Sequence, residues 1–278
     1  MIRQFEEPSN PRKSDARAIL RAIERAMASQ ASDRSGRAQE LFYEAMDAPT
    51  DEEELALLKQ ALKLDAGNVD ALLVLFRHEH LPGADAIEFL RNLVKLAKKR
   101  LGPKAFKEFA GAFWGFHETR PYMRAREMLA EQLRAAGRVE EAITEYEGML
   151  ELNPGDNQGV RYLLLPCLLI LGRLEAARKL FEKYPQEFEW NAVFAWGRTL
   201  ERFLSDDLPG TQAALAIARK QNPHMQAYVK GSRPMPKTLP EAYAPGSKDE
   251  AICFAHVVRA AWEKHPAALQ WLGRQKVK

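Results

Sequence analysis

Apolar positions recur at helical spacing along nearly the whole chain. Ala and Leu dominate, Val and Ile are sparse, and the alternation that marks strands is absent. The pattern predicts an all-α protein. Ser14 or Asp15 caps a first helix running to Ala28, and a polar break spans Ser29 to Gly36. Arg37 to Met46 sets Ala38, Leu41, Phe42 and Ala45 on one face, and Ala48–Pro49–Thr50 stops it. Thr50 with Glu53 is a capping box, in which hydroxyl and carboxylate satisfy end amides reciprocally. It opens a helix through Leu55, Leu58, Ala61 and Leu62 to Leu64. Asn68 caps Val69 to His80. Gly83 to Leu101 and Pro103 to Phe116 form a hairpin broken at Gly102–Pro103, and Thr119 caps the helix entered through Pro121.

From Arg126 to Pro154 the pattern becomes specific. Leu129, Ala130, Leu133, Gly137, Ala142, Tyr146, Met149 and Pro154 fall at the offsets of a tetratricopeptide repeat, a helical hairpin with a period of about 34 residues. Gly172, Ala177 and Phe181 mirror Gly137, Ala142 and Tyr146 about 35 residues on, and Pro185 closes that copy. Upstream, Ala61-Leu62-Lys63-Leu64-Asp65-Ala66 resembles the close of another repeat. Glu189 to Leu204 and Pro209 to Gln221 make a further pair, with Asp207 as cap. The pattern then changes. Gly231 to Gly246 carries Pro234, Pro236, Pro240 and Pro245 and reads as an extended loop. Ser247 with Glu250 is a second capping box before a helix from Ala251 to Lys264; Leu269, Trp271 and Leu272 end the fold, and the basic tail Arg274 to Lys278 frays. The expected architecture is a right-handed solenoid of tetratricopeptide-like hairpins at 37–230, preceded by a helix and linker at 1–36. A proline-rich loop with a C-terminal capping helix follows at 231–278.

Charge and cysteine content narrow the function classes. The 41 basic and 38 acidic residues leave a net charge of +3, which makes no general case for nucleic-acid binding. Lys95, Lys98, Lys99 and Arg100, extended by Lys104 and Lys107, sit near a helix C-terminus, where cations are favoured anyway, and read as a solvated face. Cys167 and Cys253 lie in apolar runs and read as buried free thiols of a reducing compartment. Met1 to Pro11 has no apolar targeting core. The longest apolar run, Tyr162 to Leu171, is interrupted by Pro166 and is too short for a bilayer, so the expectation is a cytoplasmic protein without membrane contact.

Two polar runs flank the best repeat. One is Trp114-Gly115-Phe116-His117-Glu118-Thr119-Arg120-Pro121-Tyr122-Met123-Arg124-Ala125-Arg126; the other is Asn153-Pro154-Gly155-Asp156-Asn157-Gln158-Gly159-Val160-Arg161-Tyr162-Leu163-Leu164. Both resemble signatures of the suppressor-of-tumorigenicity-seven family and its bacterial tetratricopeptide-like relatives, and Asn222-Pro223-His224 is similar too. The resemblance covers roughly residues 37–272. It implies an all-helical repeat protein without established catalysis. Eukaryotic members carry membrane-spanning segments, which this chain lacks.

The same runs supply the candidate site. Arg120 and Arg124 are four apart and share one helix face, Tyr122 and Arg126 another. Asn157, Gln158, Arg161 and Tyr162 form a stripe on the next repeat's first helix. First helices line the concave wall of such a solenoid, so Arg124, Gln158 and Arg161 form a donor-rich patch there. Arginine forks suit carboxylates, including a peptide C-terminus. The expected partner is a peptide or protein segment, with Arg120, Arg124, Arg126, Asn157, Gln158, Arg161 and Tyr162 as contacts. The stronger structural reading of the same residues makes His117, Glu118, Arg120 and Arg161 an internal salt-bridged network that locks repeats together.

Catalytic alternatives are thin. His117–Glu118 lacks the second His of a zinc helix, and His78 and His80 are two apart on a helix. His224, His256 and His265 lack ligand partners at metal spacing, and Glu52, Glu53 and Glu54 are a first-turn acidic run. There is no phosphate loop, nucleophile elbow or CxxC. No metal or cofactor is expected. A hydrolase or transferase using His117, Glu118 and Arg120, or a mainly self-associating structural protein, are the rivals to an interaction scaffold. Phe113, Trp114, Phe116, Trp190, Phe194 and Trp196 read as core aromatics, with Tyr162 and Trp196 at a groove edge.

Overall fold

A computed structural model describes residues 34–79 and 81–276. The first expected helix, from Ser14 or Asp15 to Ala28, lies outside them, as does His80. Every regular element among the described residues is helical. The chain divides into two compact units. One comprises residues 34–137 with 151–155, the other 138–150 with 156–276.

The first unit begins with α1 (Arg34–Met46), helical from the first described residue. It packs against α2 (Asp51–Leu64). Thr50 caps α2 as expected: its hydroxyl accepts from Glu53 N at 3.3 Å. Asn68 caps α3 (Val69–Glu79) by accepting from Ala71 N at 2.9 Å. Ala38, Leu41, Phe42 and Ala45 of α1 and Leu58 and Ala61 of α2 form the apolar centre with Ala71, Val74 and Leu75 of α3.

The break expected at Gly102–Pro103 is present: α4 (Gly83–Glu108) is two helical stretches divided where Gly102 takes φ 68, ψ 167, a conformation that only glycine adopts readily. Helix stops at Glu108 rather than Phe116. Two 3₁₀ turns, Phe113–Gly115 and His117–Thr119, lead into α5 (Arg120–Ala135). Thr119 is not the side-chain cap that the sequence predicts. Its own backbone is already helical, and its hydroxyl instead donates to the Phe113 carbonyl and to Phe116 O at 2.9 Å. Thr119 thereby ties the two tight turns to the helix start.

In the second unit α6 (Val139–Leu152, through Leu150) carries Ala142 and Tyr146, both fully buried. The hairpin of α7 (Val160–Ile170) and α8 (Leu174–Lys183) repeats that grammar. Gly172 turns it at φ 65, as Gly137 does at φ 75 after α5, and Ala177 and Phe181 are buried in their turn. The expected helix from Glu189 to Leu204 is split. Asn191 ends the short α9 (Glu187–Trp190) and caps α10 (Ala192–Leu204), accepting from Val193 N at 2.8 Å. Asp207 caps α11 (Leu208–Gln221) through Gly210 N at 2.9 Å.

A short α12 (Met225–Val229), absent from the sequence reading, precedes the proline-rich loop. That loop has no helix between 231 and 246. Asn222 holds its far end: the fully buried side-chain amide donates to Ser247 O at 2.9 Å and to Glu250 Oε2 at 2.7 Å. Glu250 also accepts from Gly246 N at 2.8 Å. α13 (Lys248–Glu263) then packs on α7, α10 and α12, and α14 (Pro266–Arg274) follows. Trp196 of α10 is fully buried edge-on to Trp262 of α13, with ring centroids 6.1 Å apart. It is a core residue, contrary to the groove-edge position expected for it. Trp190, expected in the core, is instead 77% exposed.

α7 and α10 approach at Gly197, where an added Cβ would lie 2.6 Å from Leu165 Cδ2. At Gly273 of α14 the same atom would meet nothing within 4 Å. Gly197→Ala is therefore expected to lower the melting temperature, by about 1 kcal/mol of overpacking. Gly273→Ala, with the same gain in helix propensity, should leave the temperature unchanged or raise it. Differential scanning calorimetry of the two variants checks this.

Candidate functional site

The candidate residues fall in both units, and each group is bonded within its own. In the first unit the centre is Asp70, in the first turn of α3, whose side chain is 1% exposed. A buried carboxylate needs full compensation. Arg124 of α5 supplies it bidentately, with Nε donating to Oδ1 at 2.8 Å and Nη2 to Oδ2 at 2.6 Å. Gln39 of α1 donates to Oδ2 at 3.2 Å and accepts from the Asn68 amide at 3.1 Å. One polar chain thus crosses three helices. Arg120 and Arg124 both lie against the Trp114 ring, and Arg120 Nε donates to Trp114 O at 2.9 Å. Arg126 and Tyr122 are buried together on the opposite face of α5, with the guanidinium over the ring, so they are packing residues.

The three helices also border open space. One hollow of about 490 Å³ includes Gln39, Tyr43, Asn68, Arg100, His117 and Tyr122 on its lining. A second, of about 440 Å³, includes Tyr43, Met46, Asp70, Leu73, Arg124 and Met128. Tyr43 belongs to both and is 47% exposed. Neither Tyr43 nor Met46 stood out in the sequence; their signal was two large apolar residues off the buried face of α1. Arg100 is no solvated lysine-like cation: it pairs with Asp65 at 2.6 Å and donates to Ser35.

In the second unit Asn157 and Gln158 precede α7 and do not share a helical stripe with Arg161. Asp156, at φ 47, caps that helix by accepting from Val160 N at 2.7 Å and Arg161 N at 2.9 Å. Arg161 answers it, donating through Nη1 to Asp156 Oδ2 at 2.8 Å. Its Nε and Nη2 donate to Glu187 Oε1 at 3.1 and 2.9 Å, and Nη2 also to the Tyr162 hydroxyl at 2.6 Å. That hydroxyl donates to Glu187 Oε2 at 2.6 Å. The Arg161 fork is filled, so this cluster fastens α7 to α9. Burial, then the bond to Glu187, pushes the Tyr162 phenol up from 10 to about 12.

The expected lock of His117, Glu118, Arg120 and Arg161 therefore takes another form. Arg161 is bonded to Asp156 and Glu187, and Arg120 to Trp114; His117 Nδ1 lies 3.4 Å from Arg120 Nη1, and both His117 and Glu118 are exposed. Among the described residues no group of three His, Cys, Asp or Glu side chains could hold a metal ion, and no helix is long and apolar enough to cross a membrane.

Two outcomes follow. Arg124→Ala strands the Asp70 carboxylate and should destabilise the fold by about 3 kcal/mol in urea titration. Tyr162 holds its proton more tightly folded than unfolded. Its contribution is intact below pH 10 and lost as pH rises through about 12. Tyr162→Phe should flatten that alkaline decline in melting temperature.

Comparison with known proteins agrees with the helical architecture. No curated protein matches the chain. A solved structure described as YrrB, a TPR protein with an unusual peptide-binding site, is 18% identical with a TM-score of 0.43, over 74% of this chain and 92% of that one. The matches do not support the resemblance to the suppressor-of-tumorigenicity-seven family. Residues 133–189 match the tetratricopeptide repeat model, so the chain is an all-α helical-repeat protein with a tetratricopeptide repeat across its middle.

Proposed function

We propose that the chain is a non-enzymatic interaction module that binds an extended peptide or protein segment along α1, α3 and α5 of its first unit. One observation carries the reading. Tyr43, large and half exposed, lines both hollows and joins them into one strip. Met46, 43% exposed, extends the strip over a base of buried Leu73, Val74 and Met128, with Arg77, Glu127 and Glu131 also on the lining. Aromatic and methionine side chains give contact area at modest entropic cost and adapt to varied partners. The Asp70–Arg124 pair fixes the strip's floor, so Arg124 contributes as a held wall of the groove rather than as a loose fork awaiting a carboxylate.

The hydrolase or transferase alternative has an opening at His117, which is exposed on the same lining. The ring nitrogen that would be oriented faces Arg120, a cation, whereas a general base is oriented by a carboxylate or carbonyl. The geometry thus favours binding without chemistry.

Replacing Tyr43 with a photocrosslinking phenylalanine analogue, in the native host, is expected to trap a partner segment whose linked residue mass spectrometry can identify. Tyr43→Asp should abolish recovery of that partner while leaving helicity unchanged. Equal recovery from Tyr43→Asp would rule the strip out.

A further inference from the structure

The second unit contains a separate hollow of about 520 Å³, bordered by α9, α10 and α11. Phe188, Ala195, Ala214 and Ile217 give it an apolar side, and Ile217 is 49% exposed. Its polar side is Arg198 and Arg202, with Asp207 and the exposed Glu189 also on the lining.

Three guanidinium groups gather here around the fully buried side chain of Glu201. Arg178 donates to Glu201 Oε1 at 2.7 Å, and the Ser205 hydroxyl donates to the same oxygen at 3.0 Å. Arg202 donates to Asp207 Oδ2 at 3.1 Å. Arg198 differs. Its nearest carboxylate oxygen, Glu201 Oε2, is 3.8 Å away, outside hydrogen-bond reach. Its guanidinium lies instead over the Phe181 and Phe188 rings, at 5.1 and 5.4 Å. Burial, and then Arg202, lower its pKa, yet an arginine stays charged. Glu201, Asp207 and the exposed Glu175, 3.8 Å from Arg178, set three acids against the three arginines, and Arg198 is the fork that has no hydrogen-bonded anion.

We propose that this hollow binds a carboxylate carried beside an aliphatic side chain, with Arg198 taking the carboxylate and Ile217 with Ala214 taking the aliphatic group. The planar fork matches a carboxylate bidentately and gains the hydrogen-bonded anion that Glu201, at 3.8 Å, does not supply. Glu189 and Asp207 on the lining oppose a doubly charged phosphate more strongly than a singly charged carboxylate. The carboxylate comes from a peptide C-terminus or from an acidic side chain. This site shares no residue with the first-unit strip and stands or falls independently of it.

The test is a titration of the full chain, isotope-labelled at arginine nitrogens and isoleucine methyls, with three acetylated tetrapeptides. One ends in leucine with a free carboxylate, one is its amide, and one is an amide with an internal glutamate beside leucine. The Arg198 Nε–H and Ile217 methyl signals are expected to shift with a carboxylate-bearing peptide and not with the plain amide; which acid acts identifies the source. R198M keeps the stem over the rings and should weaken the response roughly tenfold or more. E189Q removes a competing carboxylate and should strengthen it, a readout that holds even if R198M folds poorly. Equal shifts from the plain amide, equal competition by inorganic phosphate, no shift with any peptide, or an unchanged response in E189Q would overturn the proposal.

Discussion

Burying a carboxylate between helices is costly unless a guanidinium meets it, and this fold does so repeatedly. Asp70 is met by Arg124, Asp156 by Arg161, and Glu201 by Arg178. Each pair joins residues from different elements or fixes a helix start. Apolar stripes let helices slide and rotate with little penalty; a bidentate pair does not. The Asp70–Arg124 pair therefore fixes α3 against α5, and the Glu201–Arg178 pair ties α10 to α8.

The same chemistry gives different surfaces in the two units. In the first, the fork on Asp70 is complete, so the neighbouring hollows present mainly Tyr43, Met46 and other apolar groups over a fixed polar floor. In the second, Arg161 is filled while Arg198 has no hydrogen-bonded anion, and the hollow beside Arg198 combines that fork with an apolar wall. Completeness of hydrogen bonding, more than the number of arginines, separates a lock from a contact point.

Much of the fold was legible because capping and periodicity are local. Thr50, Asn68, Asp207 and Ser247 accept from the amides their spacing implies. Gly137 and Gly172 turn where a positive φ is needed. Thr119 failed as a cap because its own backbone is already helical, and its hydroxyl turns back to donate to two carbonyls of the preceding turns. Asn191 was missed within a run of helix formers, although its side chain divides that run. The site was legible only in part. The sequence singles out Arg124, Arg161 and Tyr162 as partner contacts, but the acids they bond, Asp70 and Glu187, lie 54 and 26 residues away along the chain from Arg124 and Arg161. No local rule pairs residues that far apart. Arg198 and Tyr43 looked ordinary because what distinguishes them is the missing or shared neighbour, which only the packed chain reveals.

The buried Asn222 amide has a consequence for the proline-rich segment. By holding Ser247 and Glu250, it fixes where that segment ends without touching its middle. The anchor and the exposed stretch between are thus under separate constraints. Farther along, the Pro240 carbonyl accepts from Cys253 Sγ at 3.7 Å and the Tyr243 ring stands edge-on to Phe254, so the second half of the segment is seated on α13. The stretch from Pro234 to Leu239 is where a change in length adds little closure entropy, which makes it the natural position for grafting foreign sequence.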